Sequence, residues 1–213
     1  MSLESKLEKL KGRAPGLILQ ENCRRSAVLI PLIKNGSGCG AASGREDLSE
    51  YSLLFEVRAA KIGRQPGDCC FPGGGIKRGE TAEDAAVRET CEELLVEPDS
   101  IELLFESDVF YNTDTVVYPF AAYLKDYDGS FSADEVAEVF TIPLSFFLES
   151  KPVLYQSEII RVPEEDFPFD LIAGGRDYKW PSRKDKELFY LYEGHTIWGI
   201  TARIIKGFIE LLK

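Results

Sequence analysis

The groups best able to do chemistry in this chain are crowded into residues 71–96, FPGGGIKRGETAEDAAVRETCEELLV. Glu89, Glu92 and Glu93 lie three and four positions apart, so on an α-helix their carboxylates share roughly one face. Like charges at that spacing repel, and near a helix C-terminus the backbone dipole disfavours anions as well. A hard cation relieves both penalties. Mg²⁺ or Mn²⁺ prefers carboxylate oxygen and keeps positions open for water and phosphate oxygens, which makes Glu89, Glu92 and Glu93 candidate metal ligands. The plain alternative is a solvated acidic helix face. Gly73, Gly74 and Gly75 precede the helix and allow the backbone to turn tightly beside a ligand. Glu80, outside the helix, could ligate metal, accept a proton or hold its loop. Arg58 and Arg64 flank the loop leading into this stretch, and a guanidinium can grip phosphate oxygens through two parallel hydrogen bonds. Otherwise each is a surface charge in an acidic protein.

Other elements must hold this helix in place. Thr81, with Asp84 three residues on, forms a variant capping box that starts the helix near Ala82, and Pro98 requires it to end before about Glu97. Residues 26–33 (SAVLIPLI) and 48–57 read as strands, and residues 69–71 as a short strand feeding the glycine loop. Residues 35–44 (NGSGCGAASG) read as a mobile loop with nothing to bury. Residues 101–111 and 116–124 are β-prone and joined by the turn-like NTDT at 112–115, which predicts an antiparallel pair. Residues 133–140 suggest a short helix, followed by Pro143 and an apolar turn (LSFFL). Residues 151–162 and 187–192 look like further strands. Ile197, Ile200, Ile204, Phe208 and Leu211 mark the buried stripe of a C-terminal helix placed over 195–213, and Leu3, Leu7 and Leu10 mark an N-terminal helix in an extension over 1–25. The expected architecture is an α/β fold in one domain over 1–213, a mixed β-sheet between helical layers.

Composition narrows the partners. The chain has 213 residues, 44% of them hydrophobic, enough for a substantial core. Its 25 basic and 36 acidic side chains leave a formal charge of −11, which argues against a nucleic-acid or anionic-membrane surface. An anionic substrate must then be met by metal and a few local arginines. Five cysteines without a CxxC pair, and no apolar run of membrane-spanning length, point to reduced thiols and a cytoplasmic location. Oligomeric state stays open, a homodimer included.

The spacing of Gly74, Glu80, Arg88, Glu89, Glu92, Glu93 and Val96 resembles the Nudix signature, with Thr90 where an aliphatic residue is usual and Leu95 where glycine is usual. Leucine avoids the left-handed conformation, so the helix is expected to run on to about Val96. Leu53, Leu54, Arg58, Ala59, Gly67 and the run Phe71-Pro72-Gly73-Gly74 resemble the motif preceding that signature in the coenzyme A diphosphatase subfamily. That motif places an arginine at Gly63, whereas this chain has Arg64. EVAEVFTIPLSFFL from Glu135 and GHTIWGITARI from Gly194 are also similar to that subfamily, so the resemblance spans most of residues 26–206.

The resemblance implies a Nudix-type α/β/α sandwich. It also implies a Mg²⁺- or Mn²⁺-dependent hydrolase cleaving coenzyme A or acyl-coenzyme A to 3′,5′-ADP and a 4′-phosphopantetheine product. Its alternatives are a Nudix enzyme acting on ADP-ribose, NADH or another nucleoside diphosphate derivative, and a catalytically silent binding module. On this reading Glu89, Glu92 and Glu93 hold metal, and Arg88 pairs with a neighbouring glutamate and fixes its rotamer. Arg58, Arg64, Gly73 and Gly74 meet the substrate, and Glu80, Arg88, Glu92 and Glu135 form the catalytic set. Glu135 and Glu138 are the later-region candidates for an extra ligand or base, each with an exposed helix face as the alternative. His195 is expected to cap or pack rather than act as a base. Tyr118, Phe120, Trp180 and Trp198 could stack on adenine, although core packing is the commoner role of such aromatics.

Overall fold

The computed structural model describes residues 21–35 and 48–213, together with Ser5, Glu8, Lys11 and Gly12. The expected N-terminal helix and nearly all of the loop at 35–44 lie outside the described residues. Eight strands form one mixed sheet: β1 (Arg24–Lys34), β2 (Tyr51–Arg58), β3 (Cys69–Cys70), β4 (Gly73–Gly75), β5 (Ile101–Glu106), β6 (Phe110–Tyr111), β7 (Thr115–Leu124) and β8 (Val136–Pro143). The path runs β3-β2-β1-β7-β5, with β8 beside β2, β6 beside β7 and β4 beside β1. β1 and β7 are parallel, Arg24 opposite Thr115 through Leu32 opposite Tyr123, and the other pairs are antiparallel. A second sheet of β9 (Val153–Ile159), β10 (Arg183–Tyr192) and β11 (His195–Trp198) follows.

Helices cover both faces of the large sheet, because each strand alternates two apolar sets across the pleat. On one side α1 (Ala82–Leu94) lays Ala85 and Ala86 against Ala27, Leu29, Phe120 and Ala122, and Leu94 against Leu54 and Leu124. On the other, α2 (Leu144–Glu149) and α3 (Gly199–Leu211) bring Leu144, Phe147, Ile205 and Phe208 onto Ile30, Leu53, Phe55 and Ala121. Each of these larger apolar side chains contributes roughly 2 kcal/mol by leaving water.

Several expectations change. Residues 133–140 are not helical: a turn leads into β8, and Val136, Val139 and Phe140 pair along β2 despite their helix-like spacing. The LSFFL run is the helix α2, not a turn. The glycines at 73–75 form a strand, registered as Ser26 opposite Gly75 and Val28 opposite Gly73. The C-terminal helix begins at Gly199 after the strand holding His195, and its buried stripe is Ala202, Ile204, Ile205, Phe208 and Ile209, with Leu211 half exposed.

The end of α1 is also corrected. Thr81 caps it as expected, its hydroxyl accepting from the Asp84 N–H at 3.1 Å, but the helix closes at Leu94 and Leu95 is left-handed, φ 53° and ψ 42°. The turn returns Val96 to the cluster of Leu54, Leu94 and Leu124, and the Ser132 N–H satisfies the Glu93 carbonyl at 2.8 Å. Burial of Val96 and a satisfied helix end offset the left-handed penalty, while the Leu95 side chain stays 59% exposed. Leu95→Gly is therefore expected to stabilise the protein by roughly 0.5–1 kcal/mol, read as a higher denaturant midpoint. A lowered midpoint would contradict this account.

Candidate active site

Arg88, on α1, is the hub of the site. Its Nε donates to Glu80 Oε1 at 2.7 Å, Nη1 to Glu89 Oε1 at 2.6 Å, and Nη2 to Glu80 Oε2 at 3.1 Å and to the Gly75 carbonyl at 3.2 Å. Glu80 also accepts from the Lys77 N–H at 2.8 Å, so both its oxygens are engaged, and the Arg88 guanidinium holds its carboxyl down to about 2. Of the roles left open for Glu80, holding the loop is the one these contacts describe. Thr90, the polar residue on the buried side of the helix, satisfies its hydroxyl on the Ala86 carbonyl at 2.7 Å.

The glycine strand fits closely against these acids. A Cβ at Gly74 would stand 2.4 Å from the Glu89 carboxyl carbon, so only a residue without a side chain lets that carboxylate lie on the strand. The Gly73 N–H donates to Glu93 Oε2 at 2.7 Å, and φ of 147° at Gly73 brings its backbone within reach. Glu93 is 3% exposed, and burial, then the neighbouring Glu56 charge, push its carboxyl up from the ordinary value of 4.5. Glu56 on β2 is likewise raised by burial.

A cleft of about 540 Å³ opens where β1 meets β4. It is lined by Glu89, Glu93, Glu135, Gly73, Gly74, Arg58 and Arg64, which brings together seven of the residues singled out in the sequence. Arg88 and Glu80 stand behind Glu89. Glu92 does not enter: at about 100° per residue it sits on the opposite flank of Glu89 from Glu93. Its side chain is 51% exposed and only 3.4 Å from Arg88, beside Val87 and Cys91. Glu135 is exposed, in the turn before β8 rather than on a helix. Arg58 Nε donates to the Arg64 carbonyl at 3.2 Å, bracing the loop between them. Glu138 lies on β8, 3.1 Å from His195 Nε2, and the His195 ring stacks on Phe140, which is the packing role expected of it. Phe120 is core, Tyr118 accepts from Arg25 Nη2 at 3.1 Å, Trp180 packs on Phe167 and Tyr178, and Trp198 on Phe189.

Sequence reasoning missed Arg24, Arg25, Asn112 and Asp114, which also line the cleft. The turn signal at 112–115 was visible; nothing local linked it, or two arginines at a strand start, to a site remote from both in the chain. No three His, Cys, Asp or Glu side chains among the described residues form a ready-made cage. The donor set nevertheless suits Mg²⁺ or Mn²⁺, which is commonly held by one or two carboxylates plus waters and substrate phosphates. The glycine cradle under Glu89 and the buried Glu93 supply such a pair.

The NUDIX domain model matches residues 47–155. Peroxisomal coenzyme A diphosphatase NUDT7 of Mus musculus is 32% identical over 173 residues, 80% of this chain and 64% of that protein. Nudix hydrolase 3 of Caenorhabditis elegans is 28% identical over 87% of this chain and 72% of its own length. The uncharacterized Nudix hydrolase NudL of Enterobacter sp. (strain 638) is 29% identical over 87% and 81%. The chain belongs to the NUDIX domain family, the Nudix hydrolases. It spans less than two thirds, 64%, of the mouse protein's length.

A carboxyl raised by folding stabilises the fold below its ordinary value of 4.5 and loses that contribution as pH climbs through the raised value. Glu80, held low, acts the other way, adding stability above 4.5 and losing it only in acid. Between about pH 5 and 9 the Glu56 and Glu93 effect therefore dominates this group. The metal-free protein is expected to melt at lower temperature as pH rises across that window, and Mg²⁺ should restore most at the alkaline end. A melting temperature that rises with pH in chelator would refute this.

Proposed function

We propose that the protein is a divalent-metal-dependent hydrolase that cleaves the diphosphate of coenzyme A or an acyl-coenzyme A, giving 3′,5′-ADP and a 4′-phosphopantetheine product. The supporting observation is one cleft that joins the Glu89–Glu93 carboxylates to Arg24, Arg25, Arg58 and Arg64. A diphosphate plus a 3′-phosphate needs several cations at once, and an otherwise acidic chain gathers four guanidinium groups there. The coenzyme A diphosphatase activity for which the mouse relative is named points the same way. Mg²⁺ or Mn²⁺, when bound, neutralises phosphate charge and activates water for attack on phosphorus. Glu89 and Glu93 hold the cation, Arg88 fixes the Glu89 rotamer, and Glu80 fixes Arg88. Glu135, exposed at the rim, is free to take a proton from the attacking water. The arginines orient the anionic substrate, and the glycine backbone admits it close to the acids. No helix among the described residues is long and apolar enough to cross a membrane. A reducing compartment such as the cytoplasm suits the four free cysteines among them.

Formation of 3′,5′-ADP from coenzyme A, and of AMP from dephospho-coenzyme A and ADP-ribose, with Mg²⁺ and Mn²⁺ tests this reading. Metal-dependent turnover is expected to be highest with coenzyme A; a preference for ADP-ribose would move the protein to another substrate class, and no turnover would leave a silent domain. Arg58→Ala is expected to raise KM for coenzyme A about tenfold with a smaller effect on kcat, and Arg58→Lys to recover only part of it. If Arg58 meets the 3′-phosphate, the penalty largely disappears with dephospho-coenzyme A. An equal penalty on both places it at the diphosphate, and none on either leaves it as a loop brace.

A further inference from the structure

Glu56 does not line the cleft, and its surroundings do not explain it. It lies within β2, in the otherwise apolar run Leu53, Leu54, Phe55, and is 1% exposed. Its Oε2 has no hydrogen-bond partner, and its Oε1 meets only the Cys70 thiol at 3.4 Å, a weak donor. A carboxylate taken out of water needs a charge partner or full hydrogen bonding. Arg58, two residues on, favours the ionised form by its charge but makes no hydrogen bond to it, spending its Nε on the Arg64 carbonyl.

The direction in which Glu56 points narrows the missing partner. Strand alternation puts Leu54 and Glu56 on the face of the sheet covered by α1, and Leu54 packs on Leu94, the residue after Glu93. One short segment touches both acids, for Cys70 meets Glu56 and Gly73, three residues later, binds Glu93. A buried, half-satisfied carboxylate therefore backs the acid face of the helix from beneath.

We propose that Glu56 is a further carboxylate of the metal centre, supplied from β2, for a hard divalent cation of the Mg²⁺ or Mn²⁺ type. The inference rests on the metal-dependent reading above. Affinity for such cations rises with the number of carboxylate charges in reach, and a cation supplies the partner that Oε2 lacks. The rival is a permanently neutral buried acid, for which glutamine is an equivalent.

Mn²⁺ binding to the whole substrate-free protein at pH 8, followed by the electron paramagnetic resonance signal of free Mn²⁺, separates the two. Glu56→Gln and Glu56→Met are compared with wild type, folding being verified by near-ultraviolet circular dichroism. Methionine covers the case in which the glutamine amide, left unpartnered, unfolds the strand. The expected result is a dissociation constant raised about tenfold or more in the folded variants. Their metal-free melting temperature should be at or above that of wild type. A dissociation constant within about twofold of wild type in a folded variant would overturn the proposal, since losing even an outer-shell partner typically costs about 10- to 100-fold in metal affinity. Wild type that binds no Mn²⁺ would overturn the metal reading itself, a distinct failure.

Discussion

The site depends on one guanidinium. Arg88 ties together three pieces of chain that charge repulsion or backbone freedom would otherwise separate: Glu80 in the loop, Gly75 in the strand and Glu89 one residue along the helix. The planar fork of arginine reaches all three at once, which the single ammonium of lysine cannot do. Because Arg88 meets Glu80, Glu89 and, at 3.4 Å, Glu92, the one of the three helix carboxylates Glu89, Glu92 and Glu93 left without a cationic side chain is Glu93, whose partner is a backbone N–H. The charge imbalance of the helix is thereby concentrated on its inner, C-terminal side, where the macrodipole adds to it.

The cleft itself follows from how one strand divides its edge. β1 pairs with β2 only through residues 32–34 and with β4 through residues 26–28, so the sheet forks between them. Into that fork open the Arg24 end of β1, the Arg58 end of β2 and the glycine backbone of β4. A continuous sheet would have left these groups on a flat surface; the fork gathers opposite charges into one concavity, where their fields reinforce one another.

Elements with strong local punctuation were legible in the sequence. Thr81 with Asp84 set the helix start, and Pro98 bounded its end. The spacing of Glu89 and Glu93 was enough to place both acids in one cleft, but the flank on which Glu92 falls depends on where the glycine strand docks, which no local signal carries. β8 was misread because Val136, Val139 and Phe140 satisfy a helical period, and only their pairing with a strand some 80 residues earlier decides otherwise. Leu95 was misjudged because the gain that offsets its backbone cost, the return of Val96 to a distant cluster, is tertiary. Glu56 is a different kind of omission: a lone acid inside an apolar strand is visible in the sequence and was passed over.

The parallel pairing of β1 with β7 also bears on how the molecule is made. It joins Arg24 to Thr115 and continues through nine residue pairs, closing a span of about 90 residues that contains α1 and the glycine strand. A strand pairing so far apart in the chain carries a large loop-closure entropy and forms late and slowly. During synthesis, α1 emerges from the ribosome before β7, whose Phe120 and Ala122 lie beside Ala27 and Leu29 beneath it, so its apolar side has no complete floor until β7 follows. The exposed acids of its outer side, Glu83, Asp84 and Glu92, keep that waiting helix in contact with water until the floor is complete.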